Sequence, residues 1–154
     1  MSESIRSSID AALKQAIKAQ DKRSMATLRL ITAAIQDRDI AARSDGNREG
    51  VSDSDVLGIL AKMIKQREES SRTYEDAGRL ELAAQEREEI DVILRFLPKQ
   101  LDDDAIAEAC RRIVEELDAR GLKDMGPTMA ALKERYAGQM DFGKASAVVK
   151  KLLG

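Results

Sequence analysis

An all-α fold is what this sequence predicts, and three observations predict it. The 154 residues are 43% hydrophobic and 35% charged but only 3% aromatic, a mixture rich in Ala, Leu, Glu, Lys and Arg, which favour helices over sheets. In segment after segment the apolar residues recur at spacings of three and four, the period of one face of a helix. Between those segments fall glycines, prolines and capping residues.

The first helix is expected to be capped by Ser2 and to run to about Gln20, with Ile5, Ile9, Ala12, Leu13, Ala16 and Ile17 as its apolar stripe. Asp21 starts a second, whose wider face (Met25, Leu28, Leu30, Ile31, Ala34, Ile35) implies contact on more than one side. From Ser44 to Ser52 the Gly, Asn, Asp and Ser content marks a surface loop. Ser52 or Asp53 then caps a third helix carrying Val56, Leu57, Leu60, Met63 and Ile64. Beyond Lys65 its apolar residues thin into a solvated arm that ends at Gly78, a C-cap candidate. Leu80 to Leu97 is the fourth helix, dense only at Ile90, Ile93, Leu94 and Leu97, so the third and fourth should form a hairpin projecting from a bundle at its Gly78 tip.

Pro98 divides the chain, because proline cannot continue a helix and pushes Leu97 toward extended backbone. We therefore expect an N-terminal helical domain over 1–97 and a small three-helix domain over 98–154. Asp102, Asp103 and Asp104 supply a cap and favourable charge for a fifth helix with Ile106, Cys110, Ile113 and Leu117 on one face. It should run to Arg120 and be closed by a left-handed Gly121. Met125, Met129, Leu132 and Tyr136 share a face of the sixth helix, which tolerates Pro127 in its first turn and ends at Gly138. Ala145, Val148, Val149, Leu152 and Leu153 give the seventh.

Composition excludes several functions. A single cysteine forms no internal disulfide, and the lack of histidine removes both the usual zinc ligand sets and the commonest general base at neutral pH. No apolar run approaches the roughly 20 residues of a membrane span, and the charged start is not a signal core, so a soluble cytoplasmic protein without membrane contact is expected.

Two motifs tempt. Gly138, Gly143 and Lys144 have P-loop spacing, but Ala145 replaces the hydroxyl that binds magnesium and a helix precedes in place of a strand. Asp45-Gly-Asn47-Arg-Glu49-Gly50 copies the start of a calcium loop, yet Val56 stands where the bidentate glutamate belongs. Glu88-Glu89 and the three aspartates read as caps and a solvated face, since nothing nearby would separate the roles of an acid and a base. Cys110, in register with core residues, reads as packing and not as a nucleophile. No catalytic, cofactor or metal residue is assigned, and the isolated chain is expected to have no activity of its own.

Charge is more informative locally. The whole chain carries 26 basic and 28 acidic residues, a net −2, whereas from Arg120 onward seven basic residues face three acidic ones. Such a segment suits phosphates, whose contacts give affinity without sequence preference.

Lys22 to Ile35, Met63-Ile-Lys-Gln-Arg67, Ala77-Gly-Arg79, Phe96-Leu-Pro-Lys-Gln-Leu101 and Lys123-Asp-Met-Gly126 together resemble the YqeY-like family, over essentially the whole chain. The C-terminal domain (GatB/YqeY-like) is similar to the tail domain of the B subunit of glutamyl- and aspartyl-tRNA amidotransferase. The resemblance implies an N-terminal helical bundle, a small C-terminal helical domain and tRNA recognition without catalysis, since that tail binds tRNA while the chemistry sits elsewhere. Carbon-nitrogen ligase activity, with glutamine as amido-nitrogen donor, is the family label and belongs to the larger enzyme. Where the family often has Arg-Ala-Asp after its glycine, Gln139-Met140-Asp141 stands here, so one potential phosphate contact is missing.

The candidates for RNA contact are Lys123, Lys133, Arg135, Lys144, Lys150 and Lys151, expected to position phosphates and not to read bases. Docking to an amidotransferase, or to another protein through the arm from Lys65 to Glu89, is the alternative. Sequence does not fix the oligomeric state.

Overall fold

The computed structural model describes residues 4–154; Ser2, the expected first cap, lies outside them. The fold is all-helical, with no strand among the described residues: α1 (Ile5–Ala19), α2 (Lys22–Ser44), α3 (Asp53–Asp76), α4 (Leu80–Leu94), α5 (Asp103–Glu116), a one-turn 3-10 helix (Leu122–Asp124), α6 (Met125–Arg135) and α7 (Phe142–Leu153). The chain divides into two compact units, one ending at Leu97 and the other beginning at Pro98.

Local chemistry sets most boundaries. Ser4 accepts from the Ser7 amide to start α1, Asp21 from Ser24 to start α2, and Ser52 and Asp55 form a reciprocal capping box at α3. At the far end of α3, Gly78 adopts φ +74 while its amide donates to Glu75 and that of Arg79 donates to Tyr74. This double closure needs a left-handed residue, which glycine supplies without steric cost.

The core of the first unit takes Ile9 from α1, Leu28, Ile31 and Ile35 from α2, Val56, Leu60, Met63 and Ile64 from α3, and Val92 and Ile93 from α4. Between Ile64 and Val92 only Ser71 and Ala83 are buried, two small residues that let α3 and α4 lie close together. Leu30 and Ile17 were expected to face inward, but they are 49% and 47% exposed. The inward stripe of α2 is narrower than its apolar content, because Ser24 and Thr27 occupy inward positions and bond locally to Asp21 and to the Arg23 carbonyl. Helix α4 stops at Leu94, three residues before the expected Leu97, and Arg95 to Leu97 continue as turns.

Glu89 also departs from the expected solvated face. It meets Arg67 of α3 at 3.1 Å, each side chain only 14% exposed, while Glu88 takes Arg23 of α2 at 3.1 Å. Across α1 and α2, Arg6 grips Asp39 with two hydrogen bonds of 2.6 and 2.9 Å, and Asp39 accepts the Val51 amide at 2.9 Å. Gly50, at φ +94, passes so close that a Cβ there would sit 3.0 Å from Asp39 Oδ1. The hydrogen bond from Arg6 and then that from Val51 hold the Asp39 carboxyl down at about 2. Because the folded value is depressed, the clasp stabilises fully above the unfolded value near ~4 and is lost as pH falls through about 2. In acid titrations the melting temperature of Asp39→Asn should therefore lie below wild type near neutrality and converge with it toward about pH 2. A gap unchanged by acid would contradict this account of the clasp.

The second unit packs Ile106, Ala109, Cys110 and Ile113 of α5 against Leu132 of α6, Met140 of the following turn, and Ala145, Val149 and Leu153 of α7. Asp102 caps α5, accepting from Ala105 at 2.8 Å, with Asp103 and Asp104 in the first turn. The far end of α5 corrects the expectation of a helix to Arg120 closed by Gly121. The helix stops at Glu116, Asp118 takes the left-handed conformation at φ 51, and Gly121 is extended at φ −158. Asp118 and Ala119 donate to Glu115 and Val114, which lets half-buried Ala119 turn back onto the core and leaves Leu117 46% exposed. Asp118→Gly should relieve this strained position and stabilise the protein by about 0.5–1 kcal/mol, net of the freedom glycine adds to the unfolded chain. The lost pair with Arg120 should cost little, since both side chains are more than three-quarters exposed at 79% and 76%. An unchanged or lower denaturation midpoint would refute the prediction.

Candidate nucleic-acid interface

All six candidate cations lie on the surface of the second unit. Lys123 is in the 3-10 turn, Lys133 and Arg135 in the last turn of α6, Lys144 in the first turn of α7, and Lys150 and Lys151 in its last. At 100° per residue, Lys144 and Lys151 fall within about 20° of each other, opposite the buried Ala145–Val149–Leu153 stripe. Lys150 lies about 100° further around the same helix. Lysines in the last turn also face the negative end of the helix dipole, which accounts for Lys133, Lys150 and Lys151 on stability grounds alone.

Pairing separates the six. Arg135 donates to Glu116 of α5 at 2.7 Å, and this hydrogen bond raises its pKa above the ordinary guanidinium value. It stands seven residues after buried Thr128, so it belongs to the rim of the packing between α5 and α6. Lys144 meets Asp103 of α5 at 3.2 Å. Lys123, Lys133, Lys150 and Lys151 have no carboxylate partner among the described residues. Of the six candidates, these four are left for an external anion. Sequence reasoning missed Lys99 and Arg112, both exposed and without an ion pair among the described residues. Both precede the net-positive segment that begins at Arg120, although the Arg111-Arg112 doublet is visible in the sequence.

Other features of this unit are structural. The phosphate-loop spacing does not make a phosphate cradle: Asp141 turns its own carboxylate onto the Gly143 and Lys144 amides, at 2.7 and 3.4 Å, where an anion would have to sit. Helix α6 stops at Arg135, three residues before the expected Gly138, which takes φ +73 in the turn that follows, its carbonyl accepting from Gln100 at 2.6 Å. Met140, in the stretch that departs from the family pattern, is 5% exposed and fills the core. Cys110 is fully buried, burial raises its thiol pKa, and its Sγ lies 3.7 Å from the Ala145 carbonyl. A raised pKa keeps the thiol protonated, the opposite of nucleophilic activation. In the first unit, the calcium-like loop closes on itself, with Asn47 donating to Gly50 and accepting from Glu49. No group of three or more Cys, Asp or Glu side chains suited to a metal comes together among the described residues. No helix among them is long and apolar enough to cross a membrane.

The chain is similar to the altered inheritance of mitochondria protein 41, mitochondrial, of Clavispora lusitaniae (strain ATCC 42720), with 25% identity over 150 residues. The alignment covers 96% of this chain and 84% of the relative. A family model described as Yqey-like protein matches residues 6–153, across both units and all seven α-helices save the first residue of α1. By that match the chain belongs to the YqeY-like family.

Proposed function

We propose that the chain is a non-catalytic, tRNA-associated helical protein whose second unit offers a weak phosphate-binding surface. The observation that carries the reading is the set of four exposed lysines, Lys123, Lys133, Lys150 and Lys151, left without carboxylate partners among the described residues. Phosphate contacts of this kind position RNA without reading its bases. Stacking contributes little, because Tyr136 and Phe142 are both partly buried against the core. The similarity of this region to an amidotransferase tail makes tRNA the RNA of choice. A cytoplasmic location is part of the same proposal, whereas the similar protein of Clavispora lusitaniae is named as mitochondrial.

Titrating the full chain with tRNA at rising salt tests the reading. With three or four phosphate contacts, the logarithm of affinity should fall with the logarithm of salt at a slope of about −2 to −4. No binding at low salt, or binding indifferent to salt, would reject it.

A second reading has its own support: the hairpin tip exposes Leu80 at 67% and Leu82 at 37%, with no core to serve there. On that reading the chain is an accessory that docks through the arm, either to a carbon-nitrogen ligase using glutamine as nitrogen donor or to another protein. Co-purification with such an enzyme, lost in Leu80→Glu, would favour it.

A further inference from the structure

Helix α3 carries a glycine that its own unit does not explain. Gly58 lies in the helix interior, where glycine is disfavoured, yet a Cβ built there would meet no atom within 4 Å. Alanine would fit, so packing within the chain does not demand glycine. Gly58 sits in the wall of an open groove of about 540 Å³ between α2 and α3. Ala34, Ile59 and Met63 give the groove its apolar part, while Asp55 and Lys62 stand on α3 at either side of Gly58.

The order of these residues along α3 is self-complementary. Asp55 stands three residues before Gly58, and Lys62 three residues after Ile59. All four share one face of the helix at spacings of three and four. Laid antiparallel on a second α3 about a two-fold axis through the 58–59 peptide, Asp55 of each chain meets Lys62 of the other, and Ile59 of each covers the bare backbone of Gly58. Such an isologous contact satisfies both charges twice, and a glycine at the crossing lets the backbones approach closely. Neither Asp55 nor Lys62 has an ion-pair partner among the described residues; the Asp55 carboxylate accepts only the Ser52 amide, at 3.3 Å.

We infer that this face of α3 is a homodimer interface and that the occupant of the groove is α3 of a second copy of this chain. Charged and polar side chains form part of the groove wall beside its apolar residues, so the dimer is weak and reversible. It involves none of the lysines assigned to RNA, so its test and that of the RNA reading fail independently.

Sedimentation velocity of the full chain across the micromolar range provides the test. The apparent mass should rise with concentration from 17.0 kDa toward twice that value. Lys62→Glu opposes two pairs of carboxylates and should raise the dimer dissociation constant by about tenfold. Adding Asp55→Lys restores opposite charges and should recover affinity to within about threefold of wild type. Because Asp55 also caps α3, helix content and melting of the double variant are read beside those of Asp55→Lys alone. Gly58→Leu, which keeps helix propensity and fills the crossing point, should leave a folded monomer. A monomer at every concentration would overturn the inference and leave the groove to a different protein. So would a dimer indifferent to Lys62→Glu and Gly58→Leu, or a charge swap that fails to restore association.

Discussion

Ile113→Ala should destabilise the second unit by about 2–5 kcal/mol, the range for emptying a fully buried aliphatic site. Ile113 is 0% exposed and sits in the core that α5 shares with Leu132 and Val149. Removing only one methylene, in Ile113→Val, should cost about 0.5–1.5 kcal/mol. Amide hydrogen exchange in α5, α6 and α7 reports the change in the unit that bears the substitution. A loss under about 1 kcal/mol for the alanine variant would mean that this core is loosely packed or collapses readily.

Glu89→Ala should cost about 2–3 kcal/mol, because it strands the Arg67 guanidinium where only 14% of that side chain is exposed. The Met63 carbonyl, 3.2 Å from Arg67 Nη1, satisfies one donor but not the charge. Replacing both partners, Arg67→Met with Glu89→Leu, should recover most of the loss, since an apolar pair of similar volume avoids dehydrating two ions. A double-mutant cycle by urea denaturation separates these terms. Additive losses would show that the two side chains do not act as a pair. Nearby Glu86, whose pKa is raised by burial and then by the Glu89 charge, should titrate closer to its ordinary value in Glu89→Ala.

What could be read in advance was whatever is encoded within a few residues. Asp21, Ser52 and Asp102 cap their helices because a short polar side chain reaches an amide two or three positions on. Gly78 takes positive φ where α3 ends, as glycine permits, whereas α6 stops at Arg135 and Gly138 takes its positive φ in the turn that follows. The same rule misled at Gly121. Leu117 extended the apolar stripe on paper, whereas the chain turned at Asp118, a residue type that also tolerates the left-handed conformation. Contacts across 33 and 22 residues, Arg6 with Asp39 and Arg67 with Glu89, have no local signature at all. The candidate interface was legible to the same degree. Its basic residues could be named, but not that Arg135 and Lys144 are engaged by α5, nor that Lys99 and Arg112, ahead of the basic segment, belong to the same unit.

Charge reversal at the unpaired lysines tests the RNA reading most directly. Lys150→Glu and Lys151→Glu replace exposed side chains at the end of α7, and the neighbouring core residues Val149 and Leu153 are untouched. Melting should therefore shift only slightly, by the dipole contribution of about 0.3–1 kcal/mol each. With the salt slope measured for wild type as reference, the double variant should bind tRNA at least about tenfold more weakly at low salt, with a slope shallower by about 2. A folded double variant that binds tRNA with the wild-type affinity and salt slope would contradict the assignment of this surface.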